Sequence, residues 1–274
     1  MPELPDIEVI KDFLTAHVVG QRIESVDHVG AIVVRSLLPG DPTSILVART
    51  ITSAARQGKF LLLPLDNGTQ IVINFMLTGR LLYCPPTTRL TTRTYLVLGL
   101  SGGLQLRYVD ATQMGKVYLT DDVLKIPTFG EQGPDALDAS VTLEVFRDRL
   151  RRHPGEIKGI LTNQSFVAGI GSAYADEILF RAGIYPFRKR PQLSPAEIES
   201  VYDAMHTVLA EAMAVISQRM GDNIREEIRD FLLVHGKANQ PCPRCGAPIS
   251  LVSANQRITN FCRSCQPGTL IRQT

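Results

Sequence analysis

No apolar run in this 274-residue chain reaches the roughly 20 residues that span a bilayer. The start also lacks the basic segment followed by an apolar stretch that marks a secretory signal. Together these absences predict a cytosolic protein. There is no internal repeat, no low-complexity tract and no phosphate-cradling Walker motif, so no nucleotide cofactor is expected. None of the five histidines, His17, His28, His153, His206 and His235, stands at metal-ligand spacing from another ligand, and they read as surface or satisfied core residues. A large charge of one sign is missing too: the net charge is +2, split into 14 Lys/Arg against 16 Asp/Glu over residues 1–150 and 15 against 11 over residues 151–274. The basic half fits a polyanion-binding face, and equally an ordinary solvated surface. What remains, 44% hydrophobic and 20% charged residues, is a globular composition long enough for two or three units.

Four of the five cysteines are grouped near the end, in "QPCPRCGAPISLVSANQRITNFCRSCQ". Cys242 and Cys245 form one C-x-x-C pair and Cys262 and Cys265 another, which is zinc-ribbon spacing. The competing reading is a redox pair or disulfides, which a cytosolic setting disfavours. A single zinc ion held by four thiolates would be structural, because no coordination position is left for water. Ile249, Leu251 and Ile258 give the intervening segment the look of a hairpin. Cys84, before Pro85 and Pro86, reads as a free thiol.

Elsewhere the patterning divides the chain. From Ile23 to Leu119, the short apolar runs "FLLLPL", "QIVINF", "TYLVLGL" and "LQLRYV" alternate with Asp-Asn-Gly, Pro-Pro and Ser-Gly-Gly turn signals, which predicts a β-sandwich. A helix from about Pro5 to His17 precedes it, with Ile7, Ile10, Phe13 and Leu14 on one face. "FGEQGPDALDAS" reads as a linker. Beyond it the period is helical: Leu143, Phe146 and Leu150 mark one helix and "GEIKGILTNQ" opens another. A long helix begins with a capping box of Ser194, Pro195 and Glu197, and its core stripe is Ile198, Val201, Met205, Val208, Leu209, Ala212 and Ile216. The expected architecture is α+β and multi-domain: a sandwich over 1–133, a helical domain over 134–236 and a zinc ribbon over 237–274. In "FVAGIGSAYADEILFRAGI", Gly169 and Gly171 flank a turn before a helix starting near Ser172. Such a turn is either a phosphate-binding helix N-terminus or a tight connection.

"PELPDIEV", "QGKFLL", "VAGIGSAYADEILFRAGI" and "PCPRCG…NQRITNFCRSCQ", in this order over essentially the whole chain, resemble the formamidopyrimidine-DNA glycosylase and endonuclease VIII family of base-excision repair enzymes. The resemblance implies a β-sandwich, a helix–two-turns–helix module and a zinc finger, acting as a monomer on double-stranded damaged DNA, nucleoid-associated in the cytoplasm. It implies a bifunctional DNA glycosylase and abasic-site lyase. The opening then acquires a chemical meaning. With Met1 removed, Pro2 becomes a secondary amine, and an α-amino group titrates at roughly 7.7–8.0, so much of it is a free nucleophile. The resemblance makes Glu3 the general acid/base and Lys59 a proton donor or phosphate ligand in the first elimination. Arg257 would grip phosphate and assist the second. Lys158 and the backbone around Gly171 would hold further phosphates.

This chain departs from the family pattern at several places. Ser172 replaces an asparagine, which shortens or removes a phosphate contact, and Asp6 replaces a glutamate. Leu77 takes the position of the methionine that fills the duplex void, while Thr112 and Met114 take those of an arginine and a phenylalanine, which alters opposite-base preference. After the long helix the sequence passes almost directly to the ribbon, with no room for a capping loop over the flipped base. Two other functions are compatible with these departures. One is an abasic-site lyase with little glycosylase activity; the other is a non-catalytic damaged-DNA-binding protein.

Overall fold

The structure, a computed structural model, describes residues 1–254 and 257–268, with the side chains of His28, Ala254 and Arg257 excepted. It forms two compact units, one of residues 1–131 with 213–228 and one of residues 132–212 with 229 onward.

The first unit opens with α1 (Leu4–His17), one residue earlier than its apolar period indicates. Glu3 is the N-cap and Asp6 the third helical residue, and the two form a reciprocal capping box. Ile7, Ile10, Phe13 and Leu14 are buried as the period requires, joined by Leu4 and Val9. There follow β1 (Ile23–Val29), β2 (Val34–Ser36), α2 (Pro42–Leu46), β3 (Ala55–Gln57), β4 (Phe60–Pro64), β5 (Gln70–Asn74), β6 (Gly79–Cys84), β7 (Thr94–Leu100), β8 (Gln105–Asp110) and β9 (Lys116–Thr120). The four apolar runs are β4, β5, β7 and β8. They occupy inner positions of two sheets, ordered β1-β7-β8-β6 and β2-β9-β5-β4-β3. Inner strands are covered on both faces and read as continuous apolar runs, whereas the shorter β2 and β3 at a sheet edge carry no such signal.

The second unit holds α3 (Leu143–Arg152), α4 (Ile157–Leu161), α5 (Ser172–Ala182), most of α6 (Pro195–Met220), β10 (Ser250–Ala254) and β11 (Arg257–Phe261). The capping box is present: Glu197 accepts the Ser194 N–H at 2.8 Å and its own N–H reaches the Ser194 hydroxyl at 3.3 Å. The stretch read as a linker contains the boundary between the two units, after residue 131, and is anchored on each side of it. Phe129 packs edge-on against Phe60, centroids 5.1 Å apart, in the first unit. Ala136, fully buried, bonds through its N–H to Ala168 O at 3.0 Å in the second. Residues 221–239 hold neither helix nor strand, yet Ile224, Ile228, Leu232 and Val234 bury themselves along it.

One buried side chain spaces two exposed tips of the first unit. Tyr108 of β8 is buried, with its ring 6.3 Å from that of Phe75. A Cβ on Gly79 would lie 2.1 Å from the Tyr108 hydroxyl, and one on Gly115 only 1.9 Å from it. Gly79 closes the turn carrying Leu77, and Gly115 the turn carrying Met114. Among the described residues the Tyr108 hydroxyl has no hydrogen-bond partner. Its burial pushes the phenol far above its ordinary range, so it stays neutral. Gly115→Ala is therefore expected to lower stability by about 1–3 kcal/mol through overpacking. Tyr108→Phe alone should stay within about 1 kcal/mol of wild type, and combining the two should recover most of the loss, as denaturant unfolding of the three variants would show.

Candidate active site and nucleic-acid interface

The N-terminus of the first unit is gathered inward. Pro2, Glu3 and Asp6 are buried, and the Asp6 carboxylate accepts the Glu3 N–H at 2.7 Å. Asp6 thus fixes the backbone of the residue beside Pro2. The Met1 ammonium donates to both carboxylate oxygens of Glu227, at 2.9 and 3.2 Å, and Arg80 of β6 also pairs with Glu227. Glu8 of α1 pairs with Arg56 of β3, whose guanidinium also donates to Gly58 O at 3.0 Å. Burial alone would push the Glu8 carboxyl up, but hydrogen bonds from Lys11 and Arg56 hold it below its ordinary value.

This pairing ties the β3–β4 turn to the helix that follows Pro2 and Glu3. Lys59 lies in that turn, outside the strands, because Gly58 adopts a left-handed φ of 56° and closes a two-residue hairpin. Lys59 is half-buried.

At the two tips, Leu77 is 51% and Met114 49% exposed. Beside each stands a residue with positive φ, Met76 at 47° and Gln113 at 60°, a conformation that side chains other than glycine adopt at a cost. Two long apolar side chains held on strained turns suit insertion into an apolar gap. Thr112 is engaged within its own network: its hydroxyl lies 2.7 Å from that of Thr78 and 3.3 Å from Asp110. Asp110 is fully buried and accepts the N–H groups of Thr112 at 3.1 Å and Gly115 at 2.7 Å, and the Thr78 hydroxyl. Burial raises its carboxyl, but these donors outweigh it and hold the group below its ordinary range.

In the second unit, α5 begins at an N-cap Gly171 of extended backbone (φ −122°, ψ −163°). Gly169 has a φ of 106° and its N–H is held by the Gln164 side chain at 2.9 Å, while Gln164 also donates to Thr162 O and Ile170 O. The Ser172 hydroxyl donates to Ile258 O of β11 at 2.9 Å. The phosphate role expected of Lys158 does not match its placement. Lys158 is 5% exposed, and its ammonium lies 2.6 Å from Asp176, 2.7 Å from Ile258 O and 2.9 Å from the Thr259 hydroxyl. The reason is Asp176, a fully buried carboxylate that requires a cation. Arg257 opens β11 opposite Ala254, and the role expected of its side chain lies outside the described residues.

Several structural residues carried no expectation. Asp176 also accepts the Asn260 N–H at 3.0 Å and lies 2.8 Å from His235 Nδ1. Glu177 accepts the N–H groups of Leu233, Val234 and His235 at 2.9, 2.9 and 2.8 Å. Burial drives its carboxyl up against those bonds. Two adjacent acids inside the apolar "AYADEILF" helix were the available signal. Glu227, in a polar stretch, offered none.

The four ribbon cysteines come together, their Sγ atoms all within 4.8 Å of one another. Cys242 and Cys265 are 3.8 Å apart, and Cys245 and Cys262 3.5 Å. Sulfurs about 2.3 Å from one tetrahedral zinc would be separated by about 3.8 Å, so this donor set fits the ion. The Ala247 N–H draws the Cys245 thiol down to about 7, whereas burial and the neighbouring sulfurs push Cys265 up to about 12. Four sulfurs this close conflict as thiolates unless a divalent cation compensates them, and zinc supplies that compensation.

The chain matches three family models in succession: the formamidopyrimidine-DNA glycosylase N-terminal domain over residues 1–117, the H2TH domain of the same enzymes over 132–222, and the zinc finger found in FPG and IleRS over 239–268. It is 35% identical to a formamidopyrimidine-DNA glycosylase of Desulforamulus reducens, over 97% of this chain and 99% of that one, and 35% identical to one of Heliobacterium modesticaldum, over 97% and 100%. Among solved structures it superposes on the Lactococcus lactis Fpg bound to abasic-site DNA (TM-score 0.86, 28% identity, 97% and 100% coverage). It also superposes on the MutM (Fpg) protein of Thermus thermophilus (TM-score 0.84, 30% identity, 98% and 100% coverage).

Two outcomes follow. The purified protein should contain one zinc per chain, and Cys262→Ser should remove it, with metal content by plasma spectrometry as the measure; retained zinc in that variant would exclude the four-thiolate site. Asp110→Ala should cost about 1–3 kcal/mol at pH 7. Because the folded-state pKa of Asp110 is lowered, its contribution is present above the unfolded value and lost as pH falls through the folded one. The deficit should therefore shrink below about pH 4 when unfolding is compared with wild type at each pH.

From its three successive domains, its four-cysteine ribbon and its relatives along the full length, the chain belongs to the formamidopyrimidine-DNA glycosylase family.

Proposed function

We propose that the protein is a DNA glycosylase and abasic-site lyase of base-excision repair whose nucleophile is the amine of Pro2 after removal of Met1. It acts on damaged double-stranded DNA as a monomer in the cytoplasm. The observation that carries the reading is the buried start of α1: a proline and glutamate, capped by Asp6, on a helix that the Glu8–Arg56 pair ties to the hairpin holding Lys59.

The proline nitrogen attacks C1′ of the damaged nucleotide, forming the N–C1′ bond as the bond from C1′ to the base breaks and the base leaves with a proton. Glu3 protonates the ring oxygen O4′, which opens the sugar and leaves an iminium, since a secondary amine cannot give a neutral imine. That cation withdraws electrons from C2′, so a 2′ proton is lost and the 3′ phosphate departs. Lys59 serves this first elimination and Arg257 the second, at the 5′ phosphate. Leu77 and Met114 occupy the space that the extruded nucleotide vacates. Gly171 and the start of α5 supply phosphate contacts, with Ser172 fixing the neighbouring strand and Lys158 neutralising Asp176 beneath it. Zinc holds the ribbon in shape and takes no part in bond making.

Thr112 favours a second reading within the same chemistry. Its hydroxyl is satisfied by Asp110 and Thr78 and is too short to reach an orphaned base. Weak hold on the opposite strand favours abasic sites, where less stacking and pairing must be broken, over intact damaged bases.

The test is borohydride reduction of the processed, zinc-loaded protein on an abasic duplex, followed by intact-mass and peptide mapping. A covalent adduct on Pro2 is expected. Pro2→Leu, which keeps Met1, should give none. DNA binding with neither adduct nor cleavage in the processed protein would replace the enzyme by a damage-binding protein.

A further inference from the structure

A cavity of about 300 Å³ opens in the second unit between α3, the 3₁₀ turn Arg190–Gln192 and the start of α6. Its lining is Arg147, Leu150, Arg151, Arg190, Pro195 and Ile198, and nothing in the proposed reaction uses it. Three features set its chemistry. The floor is apolar: Leu150 is buried, and Ile198, which its place in the helical stripe assigns to the core, is only half-buried and lines the cavity.

The rim is cationic. Three of its six lining residues are arginines, Arg147, Arg151 and Arg190, and none is acidic; Arg190 also donates to Arg151 O at 2.9 Å. The rim guanidiniums are also incompletely matched. Among the described residues, the Nε–H groups of Arg147 and Arg190 have no acceptor, although buried donors are nearly always paired. Arg147 pairs with Glu199 at 3.1 Å and Arg151 with Asp148 at 2.9 Å, both at exposed positions where ion pairs are weak and exchangeable.

We propose that this cavity is a docking site for an acidic peptide segment of a partner protein. An aliphatic or aromatic side chain of that segment sits on Leu150, Pro195 and Ile198, and its carboxylates pair with Arg147, Arg151 and Arg190. Arginine clusters recognise carboxylates through paired N–H donors, and acidic motifs are read in this way. A nucleic-acid strand is the less suitable occupant. Its phosphates gain nothing from an apolar floor, and its bases require aromatic rings to stack on, which the lining does not contain.

The experiment uses the full-length, zinc-loaded protein and a fluorescein-labelled peptide, Asp-Asp-Glu-Asp-Leu-Phe with a free C-terminus, followed by anisotropy. Saturable binding is expected, weakened about tenfold or more by Arg190→Ala, by Arg147→Ala and by Ile198→Ser. The same peptide ending in Gly-Ser should bind correspondingly less. Borohydride trapping on abasic DNA should be unchanged in all three variants, which shows that each is folded. Binding indifferent to these substitutions, or equal for the Gly-Ser peptide, would overturn the proposal as a general charge effect. Displacement of the peptide by undamaged duplex, with the arginine variants losing duplex affinity in parallel, would reassign the patch to DNA phosphates.

Discussion

The end of a chain has a peptide bond on one side only, and it frays unless the structure holds it. The start of the first unit is held in several ways. Asp6 fixes the Glu3 backbone, Leu4 and Ile7 bury the first turn, and the Glu8–Arg56 pair ties the helix to the hairpin that carries Lys59. The Met1 amine is held by Glu227, so the residue before Pro2 is fixed as well.

The second unit depends on a different constraint, the cost of burying acids. Asp176 and Glu177 lie side by side in an apolar helix, and each is compensated by another part of the same unit. Lys158 of α4 neutralises Asp176, and the backbone of residues 233–235 satisfies Glu177. Removing either partner leaves a buried charge, so helices α4 and α5, the segment before the ribbon and β11 are locked in one arrangement. The lysine for which the family resemblance implied a phosphate contact is the one paired with this buried acid.

Much of the architecture was legible because it rests on local rules. The inner strands carry continuous apolar runs, the capping box of Ser194 and Glu197 marks the start of α6, and paired C-x-x-C spacing names its metal. The roles proposed for Pro2 and Glu3 rest on resemblance, because a proline near a terminus has no physical signature of its own. The inward turn of Lys158 was not legible, since its cause lies eighteen residues further on, and the apolar setting of Asp176 signals a buried acid without naming its partner. The shielding of Ile198 failed for a similar reason: helical periodicity gives the face, but whether a neighbour fills the space beside it is a property of the tertiary fold. Tyr108 and its two glycines belong to the same class, for three residues spaced along the chain meet only through the sheet.

The contacts on β11 have a consequence for how the ribbon behaves as a sheet. A two-stranded hairpin has two open edges, each a template for pairing with another chain. Along the outer edge of β11, the Ile258 carbonyl is taken by both Lys158 and Ser172 and the Asn260 N–H by Asp176. Side chains of two helices therefore do what a third strand would do. With Ser172 among them, these groups leave this edge closed to strand addition.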